Sequence, residues 1–265
     1  MKSWKNVLRA MALVLALAGL LTGNVLASGE PGHPEYAEEN ETAQKGGIVL
    51  TGSSLMEHFP IGEIIEEAGD DYVIYNRGYG GYVMTQLMEV MDTAVFDLVP
   101  SALFINIGTN DIDRLSEEYT YEDMMENYKS ILTSVREKLP GCAIYVMAYY
   151  PCTPNTGVGQ IQRTLEQIDE ANAYVEALAA ELGVNFLNVN AVLEREDGYL
   201  KDEYAADSIH LTKEAYQAIY EALKPYFDEC AASPLYLNPD AVLSASGEPS
   251  GEASANPSGE PSGRR

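Results

Sequence analysis

Four short segments carry residue types that could make and break an acyl bond. Gly52-x-Ser54 places a hydroxyl at a turn leading into a helix, where backbone N–H groups favour a developing anion. Taken alone, that serine reads equally well as a helix N-cap. Asn76-Arg77-Gly78-Tyr79-Gly80-Gly81 offers bare N–H groups able to approach an oxygen closely, or simply a turn requiring positive φ. In Gly108-Thr109-Asn110-Asp111, Asn110 can aim a side-chain N–H into a cleft, and Asp111 can cap or orient the loop; the plainer reading is a strand-ending turn. Asp207-x-x-His210 supplies a base and a carboxylate that can fix its tautomer. None of the four is specific by itself. Together they comprise a nucleophile, oxyanion donors and an oriented base, the parts that acyl transfer needs.

Alternatives to these assignments are few, because the chain has only three histidines. His58 competes with His210 as base, but it lies one helical turn beyond Ser54 and rises along the same helix instead of facing the hydroxyl. His33 falls in a polar lead-in and receives no role. The partial Gly-x-Gly-Gly lacks the spacing of a dinucleotide-binding turn. Acyl transfer by such a set requires no cofactor and no metal, and the histidines and three cysteines form no plausible zinc cluster.

These segments need a scaffold that gathers them. Apolar runs at 47–50, 72–75, 102–107, 143–148 and 184–187 read as strands buried on both faces of a parallel sheet. Helical periodicity runs between them. One helix starts at Thr120, with Met124, Tyr128, Ile131, Val135 and Leu139 inward, and stops at Pro140-Gly141. A second carries Ile161, Leu165, Ile168, Val175, Leu178 and Leu182 and ends at Gly183. A third follows Thr212, with Tyr216, Ile219, Leu223 and Tyr226 inward. Alternating strands and helices imply right-handed crossovers and an α/β three-layer sandwich. All four chemical segments then lie beyond the carboxyl ends of strands, where such folds bind ligands.

With 265 residues and a net charge of -25, the chain suits one domain and excludes nucleic acid as a partner, since phosphate binding needs clustered cations. Lys2, Lys5 and Arg9, the apolar stretch Ala10 to Leu21 and the small residues around Ala27 read as a signal peptide over 1–27, implying export and no stable membrane association after cleavage. A retained anchor is the rival reading. Residues 28–45 are expected to form a flexible acidic linker and 46–230 the folded domain. A C-terminal extension occupies 231–243, and a disordered Ser/Gly/Glu/Pro tail 244–265. Among Cys142, Cys152 and Cys230, only the last two could pair; three buried thiols are the alternative.

In combination, the four segments resemble the Ser, Gly, Asn and His blocks of the SGNH (GDSL-like) hydrolases, over about Gly46 to Phe227. The resemblance implies a flavodoxin-like five-stranded sheet of order 2-1-3-4-5. It makes Ser54 the nucleophile, His210 the base and Asp207 its partner. It places the N–H groups of Ser54, Gly81 and Asn110 in the oxyanion hole. Compact size and the Asn76–Gly81 block are similar to the small branch of platelet-activating-factor-acetylhydrolase-like esterases and lysophospholipase/thioesterases. One departure is Ser53, where the family usually has aspartate. Tyr79, Tyr82, Tyr149 and Tyr150 flank the predicted site, either as substrate-stacking surfaces or as packing. Acetyl or other short-acyl esters of carbohydrates or small molecules are the expected substrates. Lipid hydrolysis is one alternative, and a non-catalytic carbohydrate- or wall-binding module another.

Overall fold

The computed structural model describes residues 32–154 and 163–245. The expected signal peptide, residue Ile161 and the tail from 246 onward lie outside the described residues. Five strands, β1 (Ile48–Gly52), β2 (Ile74–Gly78), β3 (Ala102–Asn106), β4 (Ala143–Met147) and β5 (Asn185–Leu187), form one parallel sheet in the order β2-β1-β3-β4-β5. Every residue of β1 and β3 is buried, which accounts for their unbroken apolar runs. Ile48 is level with Ile74 and Ala102, and Gly52 with Gly78 and Asn106. The three strands therefore end together, and their following loops emerge on one edge.

Alternate strand residues feed two cores. On one face Val49, Leu103, Ile105 and Val146 meet Tyr128, Ile131, Val135, Ile168 and Val175. On the other, Ile48, Leu50, Phe104 and Met147 meet Ile64, Tyr216, Ile219, Leu223 and Phe227. Each of the three long helices begins at a threonine cap. Thr120, Thr164 and Thr212 accept from the N–H groups of Asp123, Gln167 and Ala215, opening helices at Tyr121–Lys138, Leu165–Leu182 and Lys213–Ala232. Gly183 terminates the second of these in the left-handed conformation. Cys230 carries a free thiol, so it does not pair with Cys152.

Two local expectations are corrected. The second strand runs to Gly78, so Asn76 and Arg77 are strand residues and not part of a turn. The lead-in contains a helix, α1 (Pro34–Thr42), started by Pro34 in its first turn, where a flexible linker was expected. Its anchor is polar, which is why apolar periodicity did not reveal it. Arg77 is 4% exposed and needs acceptors. Its Nε and Nη2 donate to Asn40 Oδ1 at 3.1 and 2.8 Å, and its guanidinium lies 4.6 Å from the Tyr36 ring centroid. Asn40 Nδ2 donates in turn to Thr93 O, and the Tyr36 hydroxyl to Gly78 O. Beyond the last long helix, Pro239–Ser244 is helical and buries Val242.

His33 sits just ahead of α1, with Nδ1 2.6 Å from Glu35 and Nε2 2.6 Å from Glu57. Partial burial lowers its pKa, but hydrogen bonds and charge from the two carboxylates outweigh this, and the net shift is upward. A raised histidine pKa stabilises the folded state fully below the ordinary histidine value, and the contribution is lost as pH rises through the folded value. Hydrogen-exchange protection factors for α1 amides should thus fall from mildly acidic to alkaline pH, and His33→Ala should abolish that dependence. An unchanged dependence in the variant would remove His33 as its cause.

Candidate active site

β1 ends at Gly52 because nothing larger fits: a Cβ there would lie 2.0 Å from Asn106 O, and φ is +154°. Ser53 follows, fully buried, with its N–H donating to Asn106 O and its hydroxyl 3.2 Å from the Thr109 hydroxyl. The residue that departs from the family pattern thereby links the Ser54 turn to the loop bearing Asn110. Ser54 opens a one-turn helix, α2 (Ser54–Glu57). Its N–H makes no hydrogen bond among the described residues, and its hydroxyl faces His210.

His210 Nε2 lies 3.0 Å from Ser54 Oγ, and Nδ1 2.7 Å from Asp207 Oδ2. A carboxylate only accepts, so Nδ1 carries the proton and Nε2 is left to accept from the serine hydroxyl. The backbone enforces this arrangement. An Ala205–Leu211 bridge closes the loop, and Asp207 Oδ1 accepts from the N–H groups of Ile209 and His210, both at 2.8 Å. Partial burial raises the Asp207 carboxyl, but these N–H groups and the His210 ring prevail and bring it down to about 2. His58 does not reach the hydroxyl; its ring centroid lies 5.0 Å from that of His210, and Nε2 is 3.6 Å from Glu57.

The glycines of the second segment serve different ends. A Cβ on Gly78 would meet the Glu57 N–H nitrogen at 2.2 Å, and one on Gly80 would meet the Glu57 carboxylate at 2.3 Å. Gly78 thus permits the backbone of α2 to approach, whereas at Gly80 the Glu57 side chain could swing aside. Gly81 has φ +76° and open space around it, and its N–H is unpaired among the described residues. Asn110 Nδ2 donates one proton to Tyr82 O at 2.9 Å, which leaves the second for another acceptor.

Sequence reasoning left Asp111 open between capping and orienting; it joins the two loops. It is 1% exposed and accepts from Met84 N–H at 3.1 Å and from the Tyr119 hydroxyl at 2.9 Å. Burial pushes its carboxyl up to about 6, against the smaller opposing effect of those donors. The four tyrosines divide. Tyr149 is fully buried, with its hydroxyl donating to Ile107 O, and Tyr150 is 2% exposed in the core. Tyr79 is 1% exposed and stacks on Tyr82 at 5.0 Å. These three pack into the cores on the two faces of the sheet instead of presenting a surface. Only Tyr82 is partly exposed, and its hydroxyl accepts from Gly32 N–H.

The sequence profile of the GDSL-like lipase/acylhydrolase family matches residues 59–218, a span that includes Gly81, Asn110, Asp207 and His210 and begins just after Ser54. A structure from Streptococcus pneumonia, provisionally named a platelet activating factor, is similar with TM-score 0.67 and 29% identity, covering 82% of this chain and 99% of that one. A GDSL-like lipase from Bacteroides thetaiotaomicron has TM-score 0.62 and 21% identity over 75% and 98% of the two chains. A catalytic mutant of an acetylxylan esterase from Geobacillus stearothermophilus shares the fold with TM-score 0.54 and 14% identity, over 69% and 94%. No curated protein matches the chain.

The raised Asp111 carboxyl predicts an unusual stability profile. Its protonated form is the one the fold favours, so its contribution is complete below the ordinary carboxyl value and lost as pH rises through about 6. Relative to Asp111→Asn, the wild type should lose on the order of 1–3 kcal/mol between about pH 4 and pH 6 in denaturant titrations, and little more above that. A difference that does not vary with pH would refute a burial-raised carboxyl.

Proposed function

The chain belongs to the GDSL-like lipase/acylhydrolase family and is an ester hydrolase, and we propose that it works through an acyl-enzyme on Ser54, with His210 as base and Asp207 as its orienter. The observation carrying this reading is the continuous chain from Ser54 Oγ through the His210 ring to Asp207, at 3.0 and 2.7 Å. As Oγ attacks the ester carbonyl, Nε2 takes its proton, and the imidazolium so formed is stabilised by Asp207. The carbonyl oxygen gains negative charge beside the unpaired N–H groups of Ser54 and Gly81 and the second amide proton of Asn110. The imidazolium then protonates the leaving alcohol. Water, deprotonated by the same ring, attacks the acyl carbon and frees Ser54.

Short acyl groups, acetyl above all, on carbohydrate or small-molecule alcohols fit this site best. Among the described residues the large hydrophobic side chains left exposed are Met88 and Leu243, which offer no extended surface for a long chain. The net charge of -25 repels a phosphate-bearing lipid headgroup. The structural neighbour from Geobacillus stearothermophilus, an acetylxylan esterase, is consistent with an acetylated sugar. The reading includes export, resting on Lys2, Lys5, Arg9 and the apolar run that follows them.

A fluorophosphonate probe should label wild-type protein on Ser54 and leave Ser54→Ala unlabelled. On a chromogenic acetate, His210→Ala should lose most turnover while His58→Ala retains it; the reverse pattern would transfer the base to His58. Only neutral imidazole accepts a proton, and Asp207 stays ionised down to about pH 2. The acid limb of log(kcat/KM) should accordingly have unit slope, whereas a slope of two would mean a second proton enters the essential set.

A further inference from the structure

Arg163 has no part in the chemistry above, yet it is 3% exposed and immediately precedes the Thr164 cap of the helix Leu165–Leu182. A guanidinium in that position needs acceptors on every side. Asp113 supplies most of them. Its Oδ1 accepts from Arg163 Nε at 3.1 Å and from the Arg163 backbone N–H at 3.0 Å, and its Oδ2 from Nη2 at 2.6 Å. The remaining contact runs from Nη2 to Asn110 Oδ1 at 3.3 Å.

That last contact bears on the oxyanion site. Guanidinium nitrogens donate and never accept, so Arg163 selects the oxygen end of the Asn110 amide. Tyr82 O, an acceptor, selects the nitrogen end. With both ends specified the amide cannot rotate, and its second N–H points in one direction only. The adjacent positive charge also draws electron density toward Oδ1, which makes Nδ2–H a stronger donor to an anion. An oxyanion donor acts by being oriented before charge develops.

We infer that Arg163, held by Asp113, is a positioning residue that fixes and polarises the Asn110 amide for transition-state stabilisation. This rests on the reading of Asn110 as an oxyanion donor. A residue with this task affects the transition state more than ground-state binding, so its loss lowers kcat with KM little changed. The effect is a part of the 10²–10³-fold loss expected when the donor itself is removed, on the order of tenfold.

The test is a double-mutant cycle on an acetate ester with Arg163→Lys and Asn110→Ala. Lysine keeps the charge beside Asp113 but lacks the planar fork that serves two acceptors. Arg163→Gln, a neutral donor, provides a second variant. In the Asn110 background each should lower kcat about tenfold with KM nearly constant. In the Asn110→Ala background the same changes should have no effect on kcat. An equal fall in kcat with and without Asn110, or unchanged kcat in folded Arg163 variants, overturns the positioning role while leaving Asn110 as a donor. Failure of both variants to fold assigns Arg163 to stability and overturns the role as well. Asn110→Ala with wild-type kcat is a separate result: it removes Asn110 from the oxyanion site and the inference with it.

Discussion

Ser54 Oγ and His210 Nε2 meet at 3.0 Å although 156 positions separate them in the chain. A parallel sheet makes such a meeting possible, because its strands deliver successive loops to one edge. Position to within a fraction of an ångström needs more. At one end, Gly52 abuts the Asn106 carbonyl and Ser53 is locked against β3. At the other, the Ala205–Leu211 bridge and the Thr212 cap set where His210 leaves its loop. The Tyr216 hydroxyl, from the first turn of the last long helix, donates to Leu55 O at 2.8 Å and ties that helix directly to the Ser54 turn.

Around this contact the protein buries polar groups that a minimal fold would leave in water. Ser53, Asp111 and Arg163 are each under 5% exposed. Each is costly to bury alone and is offset by partners: the Thr109 hydroxyl, the Met84 N–H with the Tyr119 hydroxyl, and the Asp113 carboxylate. Ser53 and Asp111 each join one of the loops that gather Ser54, Gly81 and Asn110 to another, and Arg163 joins the Asn110 loop to the start of a long helix. Satisfied polar networks specify a single arrangement more sharply than apolar contacts do, and a site whose donors must be oriented in advance gains from that.

The strands and the long helices were legible because burial on both sheet faces imposes unbroken apolar runs and helices carry one apolar stripe; the strand order followed from the resemblance of the four segments to the SGNH hydrolases. Ser54, Asp207 and His210 were legible as types at loop positions that the strands implied. What escaped was held together by polar contacts. Helix α1 docks through Asn40, Arg77 and Tyr36, a set with no hydrophobic period. Arg163 lies 53 residues from Asn110 in a segment that reads as an ordinary helix approach. The end of β2 was placed too early because Asn76, Arg77 and Gly78 have the composition of a turn, whereas pairing with Leu50, Thr51 and Gly52 makes them strand. For the tyrosines, sequence proximity to the loops left surface and packing equally open, and burial of Tyr79, Tyr149 and Tyr150 decides for packing.

The central claim is that the ester's acyl group passes through Ser54. Rapid-quench mass spectrometry of the enzyme during turnover of an activated acetate ester tests this most directly. The account predicts one acetyl group on the peptide containing Ser54, appearing before steady state and vanishing as the ester is consumed. Full turnover with no acyl adduct at any time, or an adduct on a different residue, would contradict it.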